Sequence, residues 1–82
     1  MKINSFNTTY NLIEFHYYVD TFNDNLECVV ELLIDESIDN IDESIFSNIF
    51  VVELEGQSYV FSGYEINEFM DENGLTKVVC VK

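Results

Sequence analysis

His16 is the only imidazole in the chain, and Cys28 and Cys80 are its only thiols. General-base, thiol and transition-metal chemistry therefore rests on three side chains. A nucleophilic site needs a Ser, Thr or Cys within hydrogen-bond reach of the imidazole and an acid to orient it. Glu14 and Tyr18 alternate with His16 along one side of a stretch, but no strained turn of the GxSxG kind presents a serine to it. His16 reads as a surface histidine. Sixteen Asp and Glu residues supply many carboxylate pairs, and in so acidic a chain pairs arise without any catalytic purpose. No enzymatic activity is expected.

Metal chemistry fares no better. A calcium loop of the DxDxDG type needs oxygen ligands at alternate positions and a glycine for its sharp turn. The run DESIDNIDE, residues 35–43, has neither, and Asp71-Glu72-Asn73-Gly74 matches only a fragment of such a loop. One His and two Cys set inside apolar runs do not form a zinc set. The cysteines read as buried free thiols, and no metal or cofactor is expected.

Charge is the feature that remains. Sixteen acids stand against three bases, a net charge of −13, and no Lys or Arg occurs between Lys2 and Lys77. Affinity for phosphates rests on cations, so direct binding of nucleic acid or of an anionic membrane is excluded as an expectation. The partner this composition fits is a basic protein surface. No apolar run approaches the roughly 20 residues that span a bilayer, no secretory signal opens the chain, and the expected location is the cytoplasm.

Hydrophobic residues make up 48% of the 82 positions, too many for a disordered acidic tail and enough for one domain over residues 1–82. The dominant pattern has period two. In YNLIEFHYYVDT, Ile13, Phe15, Tyr17 and Val19 alternate with Glu14, His16 and Asp20. LECVVELLI sets Leu26, Cys28, Val30, Leu32 and Ile34 against Glu27 and Glu31, and Asn23-Asp24-Asn25 supplies a hairpin turn between the two stretches. FVVELEG, a turn at Gly56-Gln57, and SYVFSGYEINEF with a bulge or bend at Ser62-Gly63 predict the third and fourth strands. Asn73-Gly74 is the strongest hairpin signal, and LTKVVCVK follows as the fifth strand.

One stretch breaks the alternation. Ile34, Ile38, Ile41, Ile45 and Ile49 recur at three- and four-residue spacing, which predicts an amphipathic helix over about residues 37–47, with Ser37 as N-cap. The expected fold is thus α+β: a five-stranded antiparallel meander with one short acidic helix between strands two and three. Asp35, Glu36, Asp39, Asp42 and Glu43 fall away from the isoleucine stripe. Together with Glu53, Glu55, Glu65 and Glu68 on the sheet they are the expected partner-binding residues. Strand neighbours on one face lie about 6.5–7 Å apart, close to the phosphate spacing of a nucleic-acid strand.

In its length, its acidity, its richness in Asn and Ile, and its lack of Pro and Trp, the whole chain resembles small phage or mobile-element proteins that inhibit host defence. These include DNA mimics of the anti-CRISPR and anti-restriction kinds. The resemblance is one of composition, carries no motif, and brings no site residues with it. It implies a non-catalytic inhibitor, monomeric or homodimeric, that occupies the basic nucleic-acid-binding surface of a host enzyme. An alternative expectation is an assembly subunit of a virion or similar particle, associating through sheet edges. The five tyrosines and the final strand VVCVK carry that second reading.

Overall fold

The computed structural model of the chain describes residues 1–22 and 24–82. Seven strands form one antiparallel sheet: β1 (Lys2–Ser5), β2 (Thr8–Phe22), β3 (Asn25–Ile34), β4 (Phe50–Leu54), β5 (Gln57–Phe61), β6 (Glu65–Glu72) and β7 (Leu75–Val81). Their spatial order is β5-β4-β1-β2-β3-β7-β6. The expected α+β fold with five strands in meander order is corrected to a nearly all-β chain. Order departs from a meander because β1 inserts between β2 and β4, and β7 between β3 and β6.

The expected helix over residues 37–47 is absent. In its place stand two 3₁₀ turns, Ile38–Asn40 and Glu43–Ser47. Asp, Asn, Ser and β-branched Ile are poor helix residues, the polar ones because their side chains compete for the backbone. Side chains compete here: Glu36 Oε1, just ahead of the stretch, accepts from the Ser37 amide at 3.1 Å, and Asp42 Oδ1 accepts from the Ser44 amide at 3.1 Å. The second bond caps a new turn at residue 42 and prevents one continuous helix. Ser37 makes no side-chain cap bond.

The isoleucine stripe still works as a buried edge. Ile41, Ile45 and Phe46 are buried, while Ile49 at its end is exposed. The Tyr10 hydroxyl holds the crossover by accepting from the Asp42 amide at 3.0 Å and donating to the Asn40 carbonyl at 3.4 Å.

Turn chemistry follows the sequence with one shift. Asn73 and Gly74 both have positive φ, the backbone of a tight hairpin turn. The β4–β5 turn lies at Glu55-Gly56, also with positive φ, one residue before the expected Gly56-Gln57. Of the predicted Asn23-Asp24-Asn25 turn, Asn23 lies outside the described residues. The expected bend at Ser62-Gly63 is a full break that separates β5 from β6 and sends them to opposite edges of the sheet.

Three residues join those two edges, so the sheet must curl. In a flat sheet β2 and β5, three places apart, would be separated by about 14 Å. Instead the rings of Phe15 and Tyr17 on β2 meet Phe61 on β5 at centroid distances of 5.9 and 5.5 Å. The long strand β2 makes the curl by pairing with β1 over Thr8–Asn11 and with β3 from Leu12 onward, with a bulge between Leu12 and Glu14. Ile13, at the bulge, is exposed. The two halves enclose a core containing Ile3, Val30, Leu32, Ile34, Phe46, Phe50, Val52, Val78 and Cys80. Phe46 of the crossover touches Phe50 on β4 and Phe69 on β6, at 5.8 and 6.4 Å, and so closes one end.

Two buried hydroxyls fasten the crossover at its ends. Thr76 Oγ1 donates to the Glu36 carbonyl at 2.8 Å, and Ser5 Oγ donates to the Ile49 carbonyl at 2.9 Å. Thr76→Val keeps the shape but leaves that carbonyl without its donor. It should destabilise the protein by about 1–3 kcal/mol in urea unfolding.

Candidate protein-binding surface

The predicted contact residues separate into three groups. Asp35, Glu36, Asp39, Asp42 and Glu43 lie on the crossover, where the inward course of Ile41, Ile45 and Phe46 leaves the carboxylates outside. All but the half-buried Glu36 are exposed. Glu36 is anchored, its Oε1 accepting from Asn40 Nδ2 at 3.0 Å. Asp42 accepts from the Ser44 hydroxyl at 2.6 Å as well as from the amide, and these bonds hold its carboxyl below the usual 3.8. It therefore keeps its charge further into acid than an ordinary aspartate.

The second group is Glu53 on the outward face of β4 and Glu55 at the β4–β5 turn, both exposed. Lys2 is the cross-strand neighbour of Glu53. The third group, Glu65 and Glu68, lies on the outward face of β6, opposite Val81 and Val79. The β4 and β6 groups sit on the outer sides of the two halves of the curled sheet, so the nine residues do not share one flat surface.

Sequence reasoning missed a larger acidic face around the third group. Glu14, His16, Tyr18 and Asp20 on β2 pair with Leu33, Glu31, Val29 and Glu27 on β3. Interaction with the Glu31 carboxylate, then partial burial and the charges of Glu31, Asp20 and Glu68, hold the Tyr18 phenol above the usual 10.0. Glu14, His16, Glu31, Leu33, Glu72 and Lys77 line a shallow cavity of about 230 Å³. The signal was present: the alternation put Glu14 and His16 outward on one strand and Glu27 and Glu31 outward on the next. Only the register, which sets His16 opposite Glu31, was lacking.

His16 Nε2 lies 3.9 Å from Glu14 Oε2, with both side chains well exposed. This is the one contact within 4.0 Å between a carboxylate and a basic group among the described residues. Among those residues no cluster of three or more His, Cys, Asp or Glu is placed to hold a metal ion. No described helix is long and apolar enough to cross a membrane.

The two thiols are free. Cys80 faces Val30 across the β3–β7 ladder and Cys28 lies two residues before Val30, which makes the cysteines diagonal neighbours. Such pairs are about 7–8 Å apart, too far for a bridge without backbone movement. Burial pushes the Cys80 thiol up from 9.0 to about 12. An unfolded thiol ionises above pH 9 while the folded one stays protonated. The stability this contributes is complete below pH 9 and is lost as pH rises toward about 12. Alkylation of the native protein at about pH 8 should accordingly label Cys28 in preference to Cys80, with both labelled in urea; peptide mass spectrometry reads the sites.

Fold and surface together define a small acidic β protein whose carboxylates face solvent rather than one another's counterions. Comparison with known proteins returns no matching family model, no matching curated protein and no matching solved structure.

Proposed function

We propose that this chain is a non-catalytic acidic binding protein that works in the cytoplasm. It occupies the basic nucleic-acid-binding surface of a defence or DNA-processing enzyme, in the manner of a phage-type inhibitor. One observation carries the reading: sixteen acids, none of them buried, make no ion pair with Lys or Arg within 4.0 Å among the described residues. Like charge left uncompensated opposes compaction, and it becomes useful when a cationic surface supplies the counterions. Association of that kind is fast, steered and weakened by salt.

The alternative of a particle subunit growing through sheet edges finds less support in the fold. The edge strand β6 carries Glu65, Glu68, Asp71 and Glu72, and charged edges resist pairing. Growth through that edge is thereby opposed.

The test uses the immobilised protein as bait in host cytosol at about 50 and 500 mM salt, with eluates read by mass spectrometry. The expected result is a nucleic-acid enzyme held at low salt, released at high salt, and displaced by competing duplex DNA. A captured enzyme indifferent to DNA, or capture indifferent to salt, overturns the proposal.

A further inference from the structure

The outer half of the β2–β3 hairpin, beyond Phe15 on one strand and the buried Val30 on the other, presents an inner face that is largely open to solvent. On it Leu26 is 79% exposed, Val19 59% and Tyr17 53%. Cys28 lies between them, and Lys82 pairs with Cys28 through two backbone hydrogen bonds of 3.0 and 2.9 Å, which extends the face by one more strand. Beside it runs a cavity of about 410 Å³ lined by Tyr17, Ser58, Tyr59, Phe61, Tyr64 and Lys82. The Lys82 ammonium stands 5.5 Å from the centre of the Tyr64 ring. The far wall of this cleft is β5, an edge strand of sequence QSYVF with no charged residue.

No carboxylate lines the cleft, and along the hairpin Asp20, Glu27 and Glu31 all belong to the opposite face. In a chain of net charge −13 this surface joins the aliphatic groups of the hairpin to a cleft of tyrosine rings and hydroxyls, and its only charged side chain among the described residues is Lys82. We propose that this face is an interface with a second copy of the same chain. Charge selects the occupant. Two copies approaching by their outward faces bring carboxylate against carboxylate, whereas here rings, aliphatic groups and Lys82 meet. A basic partner is drawn to the acidic faces and gains nothing from Lys82. Contact of one patch with its own copy is isologous and closes as a two-fold dimer. The acids on β6 keep that dimer from growing through the other edge.

This interface predicts a salt response opposite to that of the basic partner. Raising salt from about 0.1 to 1 M shortens the screening length from about 10 to 3 Å, weakens repulsion between the two acidic bodies, and leaves apolar burial in place. Sedimentation velocity of the purified chain should show a dimer that forms with rising concentration up to about 100 µM and tightens at high salt. Val19→Asp with Leu26→Asp should return it to monomer by setting four carboxylates into the dimer contact. Phe6→Asp, the same change at a residue 84% exposed in the β1–β2 turn and outside this face, should leave the dimer unchanged. If the double aspartate variant loses its β-sheet circular dichroism, Val19→Ser with Leu26→Ser carries the same test. A wild-type chain that stays monomeric throughout overturns the proposal, as does a dimer that survives the folded hairpin variants or is lost equally in Phe6→Asp.

Discussion

Phe50→Ala should remove about 3–5 kcal/mol of stability, the largest loss expected of any single truncation in this chain. Phe50 is wholly buried. Its ring stacks on Phe61 at 5.3 Å and meets Phe46 and Tyr64 at 5.8 and 6.4 Å, so it touches the crossover, β5 and the link between the two sheet edges. Deleting it removes the buried area and leaves a cavity walled by stiff rings that close in poorly. A domain of this size has about 5–15 kcal/mol in all, so the variant should be marginal at room temperature. Urea unfolding followed by circular dichroism measures the loss, with Phe6→Ala as a comparison expected to fall within about 0.5 kcal/mol of the parent. A loss at Phe50 of under about 1 kcal/mol would contradict the ring cluster as the centre of the core.

Reversing Asp39, Asp42 and Glu43 together to Lys should weaken binding to a basic partner by about tenfold or more at low salt. The three reversals move the net charge by six, from −13 to −7, and all three side chains are exposed. The fold should survive. Loss of the Asp42 cap costs about 0.5–2 kcal/mol, and relief of repulsion along the crossover works in the other direction. Titration against the captured enzyme is the readout, with Glu65→Lys and Glu68→Lys as a second variant on the outer face of β6. Full affinity in the triple variant alone would move the contact to the β2-β3-β7-β6 face. Full affinity in both would remove the acidic surface from the mechanism.

The strands were legible in the sequence wherever alternation ran for five residues or more. The β2–β3 hairpin and β4 stand where period two put them, and β7 follows the Asn73-Gly74 turn that announced it. Lys2–Ser5 escaped because four residues with one buried isoleucine make no period, and its place in the sheet is decided by partners some fifty residues away. The fourth predicted strand hid two, since alternation does not record that Gly63 turns the chain from one edge to the other. At the crossover the isoleucine spacing correctly marked a buried side, with Ile41 and Ile45 inside. The helix inferred from it failed because Asp42 and Ser44 bond locally and interrupt the turn. Carboxylates were read as outward and are outward. Their division among three surfaces depends on the curl of β2 at Ile13, and no local pattern encodes that curl.

The position of β1 also bears on how the chain is made. Asn4, Ile3 and Lys2 pair with Val51, Val52 and Glu53, partners 47 to 51 residues further along. At a synthesis rate of roughly 5–20 residues per second, that partner leaves the ribosome about 2–10 s after β1 does. Until then β1 can hold only to β2, with one side open, and β7 is made later still. The nascent chain thus carries unpaired strand edges through most of its elongation. Its dense negative charge opposes edge-to-edge contact between such chains during that interval.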